Sequence, residues 1–147
     1  GHLCFAPSGT AVYLINAART FSTNSEQSLL GNFAGLSLES PDLEASIKFW
    51  NALDLKLKNG SADQGWLTFG QTSGLEVSLM RPLTCPHLFF NPSLTYFNGK
   101  ENLTVIEKIR QAGLSFAQEI TVFNEENLVD NIILRDPGGY GFFVFSD

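Results

Sequence analysis

Four side chains with metal-donor chemistry stand in two close pairs, His2 and Cys4 in "HLC" and Cys85 and His87 in "CPH". Zinc accepts imidazole and thiolate, but a spacing of two lies outside the common zinc patterns and the second pair flanks a proline. Two carboxylates sit inside apolar runs, Glu39 in "FAGLSLES" and Glu76 in "LEVSLM". A carboxylate facing a partly dry cavity can act as a base or hold a ligand. Its competing use is a structural, hydrogen-bonded residue. Trp66, Tyr96, Phe143 and Phe145 are of the type that holds a flat ligand by stacking, while a chain with 13 Phe must spend most of them on packing. No nucleophile with an adjacent base, no phosphate loop and no dinucleotide fingerprint is present, which excludes the enzyme classes built on them.

The elements that position these groups belong to a chain of 147 residues, 44% hydrophobic and 16% charged, enough for one ordinary core. A formal charge of -6 opposes nucleic acid and anionic membrane as partners and leaves small neutral or cationic molecules. No apolar run approaches the roughly 20 residues of a spanning helix, so the expected location is the cytoplasm. Cys4 and Cys85 read as free thiols.

The phrase "SPDLEASIKFWNALDLK" predicts a first helix from about Leu43 to Leu53, with Asp42 as N-cap, Glu44 in the first turn and Leu43, Ile47 and Trp50 on the buried stripe. A second helix is predicted in "KENLTVIEKIRQAGL", capped by Asn102, lined by Leu103, Ile106 and Ile109, and ended near Ala112 by Gly113. A strand candidate precedes each helix, "FAGLSLES" and "PSLTYFNG". Three more follow each: "LKLKNG", "GWLTFG" and "LEVSLMR", then "LSFAQEITVF", "NIILRD" and "GFFVFSD". Asn59-Gly60 and Asp130-Asn131 carry turn chemistry. The joint "PLTCPHLFFNP", with three prolines, is expected to be an extended crossover. The order is β-α-β-β-β, twice.

That doubled unit, with "DLEASIKFW" after its first strand and "LRDPGGYGFFVF" at its end, resembles the vicinal oxygen chelate superfamily, which includes glyoxalase I, bleomycin-resistance proteins and extradiol dioxygenases. The resemblance implies an α+β fold: two βαβββ modules, about residues 32–81 and 91–147, whose sheets curl around one cavity with the helices outside. It also implies four metal-ligand positions on the first and last strands of the modules. In this chain they fall on Gly35, on Glu76, on Ser93 or Leu94, and on Phe143, with Gly35, Ser37 and Glu39 on the cavity face of the first strand. One donor of four does not hold a catalytic metal, so no metal or other cofactor is expected. The expected ligand contacts are Glu76, Glu39, Ser37, Trp66, Ser93, Tyr96 and Phe143, with Glu76 as the candidate catalytic group.

Residues 1–31 are expected to be an N-terminal strand and linker. "FAPSGTAVYLI" matches the closing "RDPGGYGFFVF", so it reads as the tail of an upstream module of a longer chain, an added edge strand or an ordinary hairpin. The leading functional expectation is a metal-independent small-molecule binder of the bleomycin-resistance type, forming a homodimer. Its rivals are a lyase, isomerase or dioxygenase-type enzyme using Glu76 as base or metal ligand, and an interaction module whose cavity is filled by its own phenylalanines.

Overall fold

The computed structural model describes residues 1–16, 27–72 and 74–146, so most of the predicted linker lies outside the described residues. Two short strands, β1 (His2–Phe5) and β2 (Ala11–Leu14), form a hairpin with a sheet of its own. The N-terminal element is therefore a hairpin beside the main sheet, not an added edge strand of it. The first module follows as β3 (Phe33–Glu39), α1 (Leu43–Ala52), β4 (Lys56–Ser61), β5 (Trp66–Gly70) and β6 (Glu76–Met80). The second is β7 (Ser93–Phe97), α2 (Asn102–Gln111), β8 (Gln118–Ile120), β9 (Asn131–Arg135) and β10 (Gly141–Phe145).

All eight module strands join one curled, unclosed sheet in the order β4-β5-β6-β3-β7-β10-β9-β8. Within each module the first and last strands run parallel, β3 with β6 and β7 with β10. A parallel pair needs a long crossover, and the helix plus two strands between them supply it. The modules meet through β3 and β7, which pair antiparallel and place Gly35 beside Thr95 and Ser37 beside Ser93.

Strand alternation gives the sheet two different faces. Leu38, Leu67, Phe69, Val77 and Leu79 form the core beneath α1 with Leu43 and Trp50 of that helix. Ile132, Leu134 and Val144 do the same beneath Ile106 and Ile109 of α2. Asp42 caps α1 as predicted, accepting a hydrogen bond from the Ala45 N–H at 2.9 Å. Gly113 ends α2 at φ +77°, a conformation that costs glycine little.

Four local expectations are corrected. Asn102 does not cap α2: it lies inside the first turn, fully buried, and spends its amide N–H groups on the carbonyls of Asp130 and Val144. That use ties helix to sheet and outweighs capping. Leu103 is 48% exposed, so the buried stripe of α2 runs through Asn102, Ile106 and Ile109. Asn59-Gly60 lies within β4 beside a register shift rather than in a turn, since Gly60 at φ +80° serves a bulge. The strand expected over "LSFAQEITVF" shortens to Gln118–Ile120, and Val122 and Phe123 beyond it are largely exposed.

Candidate functional site

The concave face, opposite the helices, is best described as rows running across the strands. In the first row Glu76 lies beside Gly35, Gly35 beside Thr95, and Thr95 beside Phe143. The second row holds Thr68, Ser78, Ser37 and Ser93, four hydroxyl side chains on four successive strands. The third holds Trp66, Met80 and Glu39.

The hydroxyls bond to one another. Ser37 Oγ lies 2.7 Å from Thr95 Oγ1, and Thr68 Oγ1 lies 3.3 Å from Ser78 Oγ. Ser37 and Thr95 are buried and need that bond, while the buried Ser93 donates its hydroxyl to the Phe90 carbonyl. Glu76 carries its own counter-charge: Lys58 Nζ donates to its Oε1 at 3.0 Å, with both side chains partly exposed. Glu39 accepts the backbone N–H of Leu83 at 3.2 Å and thereby tethers the crossover after the first module.

The second module's share of the concave face is filled. Phe143 stacks on Phe145 with centroids 5.2 Å apart, and Phe89 from the crossover meets Phe143 edge-on at 5.4 Å. Phe90 completes this cluster with Ile120 and Ile133. Gly141 makes room for it, since a Cβ there would lie 2.3 Å from the Phe90 ring. The expected extended crossover thus folds back as a plug. What remains near the first row is a depression of about 10 Å³ beside Gly35, Glu76, Ser78, Thr95 and Phe97, roughly the room of one water. A hollow of about 430 Å³ lies on the helix side among Leu29, Leu114, Leu134, Pro137 and Phe142, away from these rows.

Of the residues singled out from sequence, Glu76, Glu39, Ser37, Trp66, Ser93 and Phe143 share the concave face. Tyr96 does not join them. It pairs with Val144 on the opposite face, its ring 5.5 Å edge-on from Phe33, and burial pushes its phenol above the usual range while a hydrogen bond with Ser28 opposes the shift. Leu94, offered as an alternative to Ser93 for a ligand position, faces the same way. Pairing register identifies Thr95 as the residue in the first row, a fact that the alternation of β7 alone does not fix. Lys58 was also missed, because a bulge in β4 shifts its register.

No family model and no curated protein matches this chain. Solved structures do. An NAD-dependent benzaldehyde dehydrogenase from Legionella pneumophila superposes with a TM-score of 0.57 at 14% identity, covering 74% of this chain and 96% of that one. Methylmalonyl-CoA epimerase from Mycobacterium tuberculosis gives 0.51 at 16% identity over 82% and 92%. A glyoxalase/bleomycin resistance protein/dioxygenase superfamily member from Vibrio splendidus 12B01 gives 0.48 at 15% identity over 74% and 92%.

The chain has the vicinal oxygen chelate fold.

A fold at this identity carries no activity with it, and the donors must be judged on their own. The metal that the vicinal oxygen chelate fold implies does not fit the first row. Gly35 has φ +152°, and a Cβ there would lie 2.0 Å from the Glu76 carbonyl oxygen, so no ligating side chain can stand at that position. Phe143 has no lone pair to give, Thr95 is bonded to Ser37, and Glu76 is paired with Lys58. Among the described residues no three His, Cys, Asp or Glu side chains cluster. The Cys4 thiol instead donates to the Val12 carbonyl at 3.5 Å, and His87 packs against Phe123 with its buried Nε2 unpartnered.

Proposed function

We propose that the protein binds a small neutral or cationic molecule, without a metal, on the concave face of the first module. One observation carries this reading: Thr68, Ser78 and the Glu76–Lys58 pair stay partly exposed on one half of the face, while Phe89 and Phe90 close the other. Trp66 and Phe97, 45% and 40% exposed, offer apolar surface to a flat part of the ligand. Glu76 presents a carboxylate to a donor or cation. The same half holds no nucleophile with an adjacent base, which favours holding a ligand over transforming it.

The filled second module favours a second reading, an interaction domain whose face recognises another protein. A thermal-shift screen of small molecules separates the two. A hit should shift perturbed resonances onto Ser37, Ser78 and Thr95 and lose affinity in Glu76→Gln. A screen whose hits all map elsewhere would refute the binding reading.

A further inference from the structure

Residues 2–15 repeat residues 132–145 in geometry as well as in sequence. Ala6 N–H donates to Thr10 O at 2.9 Å and Gly9 N–H to Ala6 O at 2.8 Å; Asp136 N–H donates to Tyr140 O at 3.0 Å and Gly139 N–H to Asp136 O at 3.1 Å. Gly9 and Gly139 have φ +84° and +90°. The register is also the same, Phe5, Cys4 and Leu3 opposite Ala11, Val12 and Tyr13, as Arg135, Leu134 and Ile133 stand opposite Gly141, Phe142 and Phe143.

The two hairpins differ in what covers them. β10 has its outer edge taken by β7, running parallel, with Asn98 N–H donating to Phe145 O at 2.9 Å. One face of β9–β10 lies under α2 and the other under Phe89 and Phe90. In β1–β2 a single face is used, Ala6 and Val12 packing into the α1 core. Leu3, Phe5, Tyr13 and Ile15 are 59%, 64%, 62% and 50% exposed. Antiparallel bonding alternates, and counted from the Ala6–Thr10 bond it spends the Val12 N–H inside the hairpin and turns those of Ala11 and Tyr13 to the free edge.

We propose that the edge of β2 left unpaired among the described residues is a strand-addition site. Its occupant is an extended segment of another polypeptide, running parallel to β2 and alternating hydroxyl with larger apolar or aromatic residues, as Ser93, Leu94, Thr95 and Tyr96 do beside β10. The repeat supplies the argument: identical turn, identical register and an apolar face that in the other hairpin is sealed. In a folded second copy β3 and β7, the strands of this pattern, each have both edges paired.

The test is amide hydrogen exchange by NMR, with a synthetic peptide of the β7 segment, Asn-Pro-Ser-Leu-Thr-Tyr-Phe-Asn. Saturating peptide should slow the Ala11 and Tyr13 amides about tenfold, with little change at Val12, already bonded. Tyr13→Pro removes one outward donor and should abolish the slowing at Ala11. A peptide methylated on its Tyr nitrogen should fail on the unaltered protein, because the Asn98–Phe145 bond places that nitrogen in the ladder two residues earlier. Equal slowing by the methylated or a scrambled peptide, or no slowing at all, would overturn the proposal. So would light scattering that shows a dimer with Ala11 and Tyr13 protected before any peptide is added, since the occupant would then be a second copy.

Discussion

Replacing Gly35 by Ala tests why the row at the centre of the sheet carries no metal ligand. The added Cβ would meet the Glu76 carbonyl oxygen at 2.0 Å, and real Cβ contacts do not fall below 3.0 Å, so β3 and β6 must part by about 1 Å. A ladder hydrogen bond stretched by that much is lost. The expected cost is about 1–3 kcal/mol for a side chain at φ +152° plus about 1 kcal/mol for the bond, or about 2–4 kcal/mol in all. Urea denaturation reads it directly. Gly113→Ala is the control: φ is +77° there, but nothing lies within 4 Å of the added carbon. Strain alone should then cost about 1 kcal/mol. If Gly35→Ala is no more destabilising than Gly113→Ala, the close approach of the strands is not what excludes a side chain, and the argument against the metal position fails.

Glu76→Gln should change stability by less than about 1 kcal/mol, since its pair with Lys58 is partly exposed, yet weaken a bound ligand by about 1.5–3 kcal/mol in calorimetry. Elemental analysis should find less than stoichiometric nickel, zinc or iron, and a chelator should leave the thermal midpoint in place. Phe89→Ala should cost about 1–3 kcal/mol, since Phe89 is only partly buried, and leave an opening above Phe143 that an apolar dye fills; a loss near zero would mean that the crossover is not a plug. Tyr96 should ionise above its ordinary value of 10.0, because burial disfavours the phenolate, so stability attributable to it is intact below pH 10 and falls as pH rises through the folded value. An ultraviolet titration in which Tyr96→Phe removes a step at or below pH 10 would contradict this.

Much of this fold was readable because local signals agreed with one another. Asp42 before an apolar stripe, Gly113 after one, and the order of strands around them specify both modules without reference to distant contacts. The site was harder to read. Tyr96 was misplaced because a one-residue ambiguity in β7 exchanges the two faces of the sheet, and only pairing with β3 and β10 resolves it. Lys58 was hidden by a bulge, whose extra residue breaks the alternation on which sequence reasoning depends. The plug was hidden for another reason: a proline-rich joint advertises extended chain, while the landing of Phe89 and Phe90 on Phe143 and Gly141 is a tertiary contact between segments some fifty residues apart in "HLFFNP" and "GFFVF".

Each member of the central row is satisfied without a metal ion, and by a different means. Gly35 offers no side chain, Thr95 bonds to Ser37, Phe143 lies under Phe89, and Glu76 holds Lys58. An unpaired carboxylate or imidazole set in such a floor would carry a desolvation cost that a metal ordinarily offsets; here the cost does not arise. The same fact constrains a ligand. Its polar groups must compete with bonds already made, so affinity should come first from the exposed Trp66 and Phe97 and from the one charged pair able to exchange partners. Of the two members of that pair, Lys58 lies on the edge strand β4, where its chain can swing aside without disturbing the floor, whereas Glu76 is fixed beside Gly35 in the middle of the sheet. A cationic group on the ligand would therefore displace Lys58 and keep Glu76, which makes Lys58→Met the substitution expected to tighten binding of a cation while Glu76→Gln loosens it. Calorimetry that finds both variants weakened alike would show that the pair acts as a unit.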